Sequence, residues 1–194
     1  MVTEYYQIHL TISGELTDFQ LIKSDYNKYA IGFGHIKYYI GTKMHTVPVI
    51  AGEDKHEWLQ NNIGNIIEVR GAIRNFRRDD EHFNVIKIFD AVIHEGTTAI
   101  NDVTATCKLL GILNKPVKAS PDMHSTVLYL LTNEKYNKHI RLTGLILNKR
   151  NDNAIAVPSM GSVSVYKGFI QTSNEKTPTG ENNVELVITN IKER

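Results

Sequence analysis

The chain has one cysteine, one tryptophan and five prolines in 194 residues, and its net charge is only +1. A single thiol, Cys107, excludes an internal disulfide framework. No apolar run approaches the roughly 18 residues that a membrane helix needs. The opening MVTEYYQIHL lacks the basic start and long apolar stretch of a signal peptide, so a cytosolic (cytoplasmic) protein is expected. Catalytic patterns are missing as well. The eight histidines (His9, His35, His45, His56, His82, His94, His124, His139) form no H-x-x-x-H pair and have no carboxylate at a metal-site spacing. Gly32-Phe33-Gly34 is a lone G-x-G inside a strand, without the following helix of a phosphate loop. Cys107 lies in an apolar strand pattern, TATCKLL, and is expected to be buried rather than nucleophilic. These absences predict a non-enzymatic protein with no cofactor and no metal.

What the chain does have is ordinary globular composition, 41% apolar and 22% charged, together with self-similarity at an offset of about 97 residues. Gly14, Gly64 and Gly71 reappear as Gly111, Gly161 and Gly168; Ile12 and Leu16 match Leu109 and Leu113, and Ile73 matches Ile170. Two domains are predicted, 1–96 and 97–194, each just large enough for one core and joined by the short linker Glu95–Asp102. The near-neutral total hides an asymmetry. Residues 1–100 hold 10 Lys and Arg against 13 Asp and Glu, whereas residues 101–194 hold 12 against 8. Aromatics run the other way, 12 of 16 lying in the first half. A nucleic-acid ligand would thus find stacking surface in one copy and charge in the other.

Each copy reads as five strands broken by turn residues. The first has 5–16, 28–40, 45–50, 66–75 and 83–93, with a helix-like stretch at 53–62 ending in Trp58 and Leu59. The second has 104–113, 125–131, 139–147, 162–171 and 184–191, with a loop or helical turn near 148–158. Five strands with one helix between the third and fourth is the plan of the five-stranded Greek-key barrel, the OB-fold. Glycines in the first and fourth strands suit the corners of a small barrel better than two unrelated β-sandwich units. The expected fold class is all-β, two tandem OB-fold barrels, each with one short helix.

The stretches HTVPVIAGEDKHEWLQNNIGNIIEVRGAIRNF and FNVIKIFDAVI resemble the third strand, helix, fourth strand and closing strand of bacterial single-stranded DNA-binding proteins. In the second copy HIRLTGLI, GSVSVYKGFIQT and NVELVITNI are the counterparts; HLTISGEL and CKLLGIL resemble the family's first strand. The resemblance spans nearly the whole chain twice, as in two-barrel variants of that family. It implies single-stranded DNA as partner, with RNA a further candidate, and a role in DNA replication, recombination or mobile-element maintenance. The family usually ends in an acidic, hydrophobic tail tip that recruits partners, and this sequence ends at ITNIKER. A specialised phage-type or mobile-element relative is therefore expected, and a homodimer would supply four barrels.

Sequence-tolerant binding of an unpaired strand needs aromatic faces for bases and cations for phosphates. The densest candidate is the fourth-to-fifth strand hairpin of the first copy, Arg74, Phe76, Arg77, Arg78 and Phe83, which carries base contacts in the family. Pairing of Arg77 and Arg78 with Asp79, Asp80 and Glu81 is the competing reading. Tyr38 and Tyr39 are adjacent on a strand, so one must face outward. Phe33 and Trp58 read as core, and Tyr129 as surface. The second copy offers Lys135, Tyr136, Lys138 and Arg141, cations interleaved with an aromatic. The alternative function is an OB-fold module docking on a replication protein with weak or no DNA binding. The near-neutral charge favours it.

Overall fold

The computed structural model describes residues 8–23, 30–78, 81–117, 123–133, 139–149, 155–178 and 180–193. Alternating apolar residues give ten strands: β1 Ile8–Lys23, β2 Ala30–Ile40, β3 Lys43–Ala51, β4 Ile66–Arg78, β5 Glu81–Ile93, β6 Asn101–Pro116, β7 Met123–Asn133, β8 His139–Lys149, β9 Val163–Lys176 and β10 Asn182–Glu193. They group into two compact units. One comprises His9–Asn101 with Thr172–Val184; the other is built on Asp102–Gln171 and Glu185–Arg194.

In the first of these, neighbouring strands run β2-β3-β5-β4-β1, and β1 pairs again with β2 to close a five-stranded barrel. All pairs are antiparallel except β3 with β5. That closed order defines an OB-fold. Inward positions Ile12, Leu16, Ile36, Val47, Val49, Ile67, Val69, Ile73 and Ile86 are fully buried, each contributing about 1.5–3 kcal/mol. Between β3 and β4 a single 3-10 turn, Glu53–Lys55, leads into helix α1, His56–Asn61. Leu59 is the helix residue that is fully buried. Trp58, expected in the core, is instead 36% exposed, because a helix of one and a half turns can present only one residue of an adjacent pair inward.

The other unit repeats the order, β6-β7-β8-β10-β9 with β6–β9 closing and β8–β10 parallel. Its core holds Ala105, Leu109, Leu128, Leu130, Leu142, Ile146, Tyr166, Ile170 and the free Cys107, whose thiol burial pushes upward in pKa. Of the loop or helical turn expected near 148–158, residues 150–154 lie outside the described residues; described residues 155–159 carry no helix, and a turn follows at Met160–Gly161.

The internal repeat is real but its offset is not fixed. Gly64 (φ 87°) donates its N–H to the Leu16 carbonyl at 2.7 Å, and Leu16 donates to Asn65 at 3.0 Å. Gly161 (φ 84°) donates to Leu109 at 2.8 Å, and Leu109 to Ser162 at 3.0 Å. Left-handed backbone is cheap only for glycine, so these two positions are true equivalents. Leu16 therefore corresponds to Leu109, not Leu113. Likewise Leu10 faces Gly71 while Val103 faces Gly168. Gly14 then corresponds to Cys107, not to Gly111. The matches of Gly14 with Gly111 and of Ile12 with Leu109 are register errors of four residues.

Candidate nucleic-acid interface

On β7, side chains alternate between core and surface. Leu128 and Leu130 point in, whereas Ser125, Val127, Tyr129 and Leu131 share the opposite face. Tyr129 lies opposite Thr143 on β8 and Gly111 on β6; Leu131 lies opposite Arg141. Tyr129 and the exposed Arg141 are diagonal neighbours on one face, within reach of a shared ligand. Gly111, directly across on β6, adds no side chain beside the ring. A Cβ there would sit 3.4 Å from Tyr129 Cδ2. The ring is 46% exposed; exposed Leu113, opposite Val127, and exposed Leu147, opposite Ser125, lie further along the same face. This is an open aromatic platform beside a cation.

In the other unit the β2 residue equivalent to Tyr129 is His35, since both follow a bulge on the preceding strand, Leu16/Asp18 and Leu109/Gly111. The equivalent of Phe33 is thus Val127. Here the face is closed. His35 Nδ1 lies 3.0 Å from Asp18, and Nε2 lies 2.8 Å from Glu181 Oε2. Arg78 Nη1 donates to Glu181 Oε1 at 3.1 Å. Burial pushes the His35 pKa down, but the hydrogen bonds to Glu181 and Asp18 outweigh it and hold the imidazole above its ordinary range. Burial likewise works against the Glu181 charge, and His35 and Arg78 overcome it, leaving the carboxyl below its ordinary value. Nearby, His45 Nδ1 accepts the Thr172 N–H at 3.1 Å, and Asn182 Nδ2 donates to the Thr46 carbonyl at 2.9 Å. Burial and then Lys43 lower the His45 pKa.

The expected hairpin of stacking rings is corrected. Phe76 is 7% exposed and Phe83 is buried; both belong to a cluster with Phe33, Ile50 and Val85 against which Ile22 and Ile31 pack. Phe33 and Phe76 stack at 5.8 Å, with Phe83 edge-on to each. Rings packed this way have no free face for a base. Tyr38 is also buried, stacked on His45 at 5.6 Å, and burial raises its phenol pKa. Its neighbour Tyr39 is 57% exposed and borders a cleft of about 220 Å³ with Lys37, Ile66 and His94, in which Lys37 pairs with Glu15. Arg74 is half-buried with its guanidinium 5.8 Å from the Phe89 ring centre, and Arg77 is half-buried. Lys135, Tyr136 and Lys138 lie outside the described residues. Sequence reading missed Phe89, an exposed ring on β5, because strict alternation puts it on the side of buried Phe83 and Val85, and the register shift opposite Arg70/Gly71 breaks that alternation. It also missed Glu181, whose partners lie more than a hundred residues away in sequence.

The fold and the open platform define an OB-type barrel protein with a surface suited to a planar ligand. Among solved structures, the chain is similar to the single-stranded DNA binding protein from Thermus aquaticus, with TM-score 0.70 at 11% identity, covering 98% of this chain and 94% of that one. A deletion mutant of that protein gives TM-score 0.65 at 15% identity, covering 98% and 95%. At such identities what is shared is the fold. No family model matches the chain, and no curated protein does.

Proposed function

We propose that this protein binds single-stranded DNA without catalysis, through two tandem OB barrels, in replication, recombination or mobile-element maintenance in the cytoplasm. The observation that carries this reading is Tyr129, an exposed ring lying over a glycine backbone on the β7–β8 face with Arg141 diagonal to it. Strands two and three of an OB barrel are where oligonucleotides bind in this fold. The likeness to a protein described as single-stranded DNA binding supports the same ligand. The test is anisotropy of a labelled oligo(dT) of about 30 nucleotides at two salt concentrations. Binding is expected to weaken with salt, and Tyr129→Ala to cost about 1–3 kcal/mol. Absence of binding at low salt sinks the reading. A matched RNA oligomer in competition assigns the sugar chemistry. Docking on a replication protein is the second reading, favoured by exposed Leu113 and Leu147 on the face that carries Tyr129. It gains if Tyr129→Ala abolishes partner association while oligo(dT) binding is unchanged.

A further inference from the structure

We infer that His35 and Arg78 form a phosphate-type anion site on the first barrel, and that the Glu181 carboxylate occupies it as an intrachain stand-in for the phosphodiester of an unpaired strand. The inference deepens the single-stranded-DNA reading and rests on it for the identity of the natural ligand.

Three observations converge. First, an imidazole and a guanidinium from different strands meet one carboxylate: His35 Nε2 on β2 lies 2.8 Å from Oε2, and Arg78 Nη1 on β4 donates to Oε1 at 3.1 Å. A phosphate presents the same pair of acceptor oxygens to such donors. Second, the site is built. Arg78 lies over the Phe33 ring at 5.1 Å and His35 meets the same ring edge-on at 5.3 Å, so one buried aromatic orients both donors. Asp18 holds the far imidazole nitrogen at 3.0 Å, fixing the ring and favouring its cationic form. Third, Glu181 is delivered by a tight turn. Thr177 donates its N–H to the Glu181 carbonyl at 2.8 Å, Glu181 N–H donates to Thr177 Oγ1 at 3.0 Å, and Gly180 (φ 84°) donates to the Thr177 carbonyl at 2.8 Å. The turn places a carboxylate only 7% exposed against the face whose counterpart on β7–β8 is open.

An isolated carboxylate buried there would be costly. Paired, it neutralises the two donors and keeps a polyanion out until it is displaced. The consequence is an oligonucleotide interface that is open on one barrel and self-occupied on the other.

The probe is inorganic tripolyphosphate, with oligo(dT) alongside, on the full-length protein by calorimetry. Glu181→Ala is expected to bind tripolyphosphate about tenfold more tightly than the wild type, the size of one charge-assisted hydrogen bond. Adding Arg78→Gln or His35→Asn should abolish that gain. Equal affinity of Glu181→Ala and wild type overturns the inference, as does a gain that survives both added substitutions. Thermal unfolding is followed in parallel. If Glu181→Ala loses its cooperative transition, Glu181→Gln, which keeps the volume and removes the charge, carries the same comparison. Wild type that fails to bind oligo(dT) defeats the functional reading alone, because the tripolyphosphate series still decides the anion site.

Discussion

Phe76 carries the clearest lesson at the scale of a residue. Its neighbours in sequence are Arg74, Asn75, Arg77 and Arg78, so a polar, exposed hairpin is the natural expectation. Alternation along a strand tells which side a residue takes, and says nothing about whether that side is roofed. The face of Phe76 is roofed, by Phe33, Phe83, Ile22 and Ile31. Phe76→Ala should therefore cost about 3–5 kcal/mol in denaturant unfolding, as for other core aromatics. Tyr39→Ala, at an open position, should stay within about 0.5 kcal/mol. A Phe76 variant as stable as the Tyr39 one would show that the aromatic cluster is not core.

Among the elements, strand existence was legible because each strand has a period-two apolar pattern, and every expected strand overlaps an observed one. Register between the copies was not. The equivalent pairs Leu16/Leu109, Ile36/Leu130, Val47/Leu142, Gly64/Gly161 and Ile86/Leu186 are separated by different numbers of residues, because loops of different length intervene. A four-residue shift preserves strand parity, so apolar residues of β1 align with apolar residues of β6 in either register. The turn carrying Glu181 was illegible for another reason: nothing local marks a carboxylate whose partners are distant. That contact makes stability depend on pH. His35, raised, contributes fully below its ordinary value of 6.5, and the contribution fades as pH climbs through the raised value. Glu181, lowered, contributes above 4.5 and fades as pH falls through its depressed value. His45, also lowered, opposes His35 in acid: its neutral ring is favoured above 6.5 and lost below. Asp18, Glu181 and, through Glu181, Arg78 are the charges facing His35. The Tm of the wild type should therefore fall relative to His35→Gln as pH rises above 6.5. Parallel profiles would remove His35 as a contributor.

For the whole molecule, the division of the chain follows space rather than sequence. The unit built on β1–β5 also takes in Thr172–Val184, so its complement of side chains is drawn from two distant stretches. A truncated fragment ending at residue 101 would keep all five barrel strands and lose Thr172, Glu181 and Asn182. Such a fragment should melt at a lower temperature than the intact chain, and a synthetic peptide of residues 172–184 supplied in trans should recover part of the loss. A fragment indifferent to the peptide would argue that the segment is dispensable to the unit. Proteolysis or gene splitting between the repeats would then do more than separate two copies: it would deprive one of a component encoded at the far end of the other.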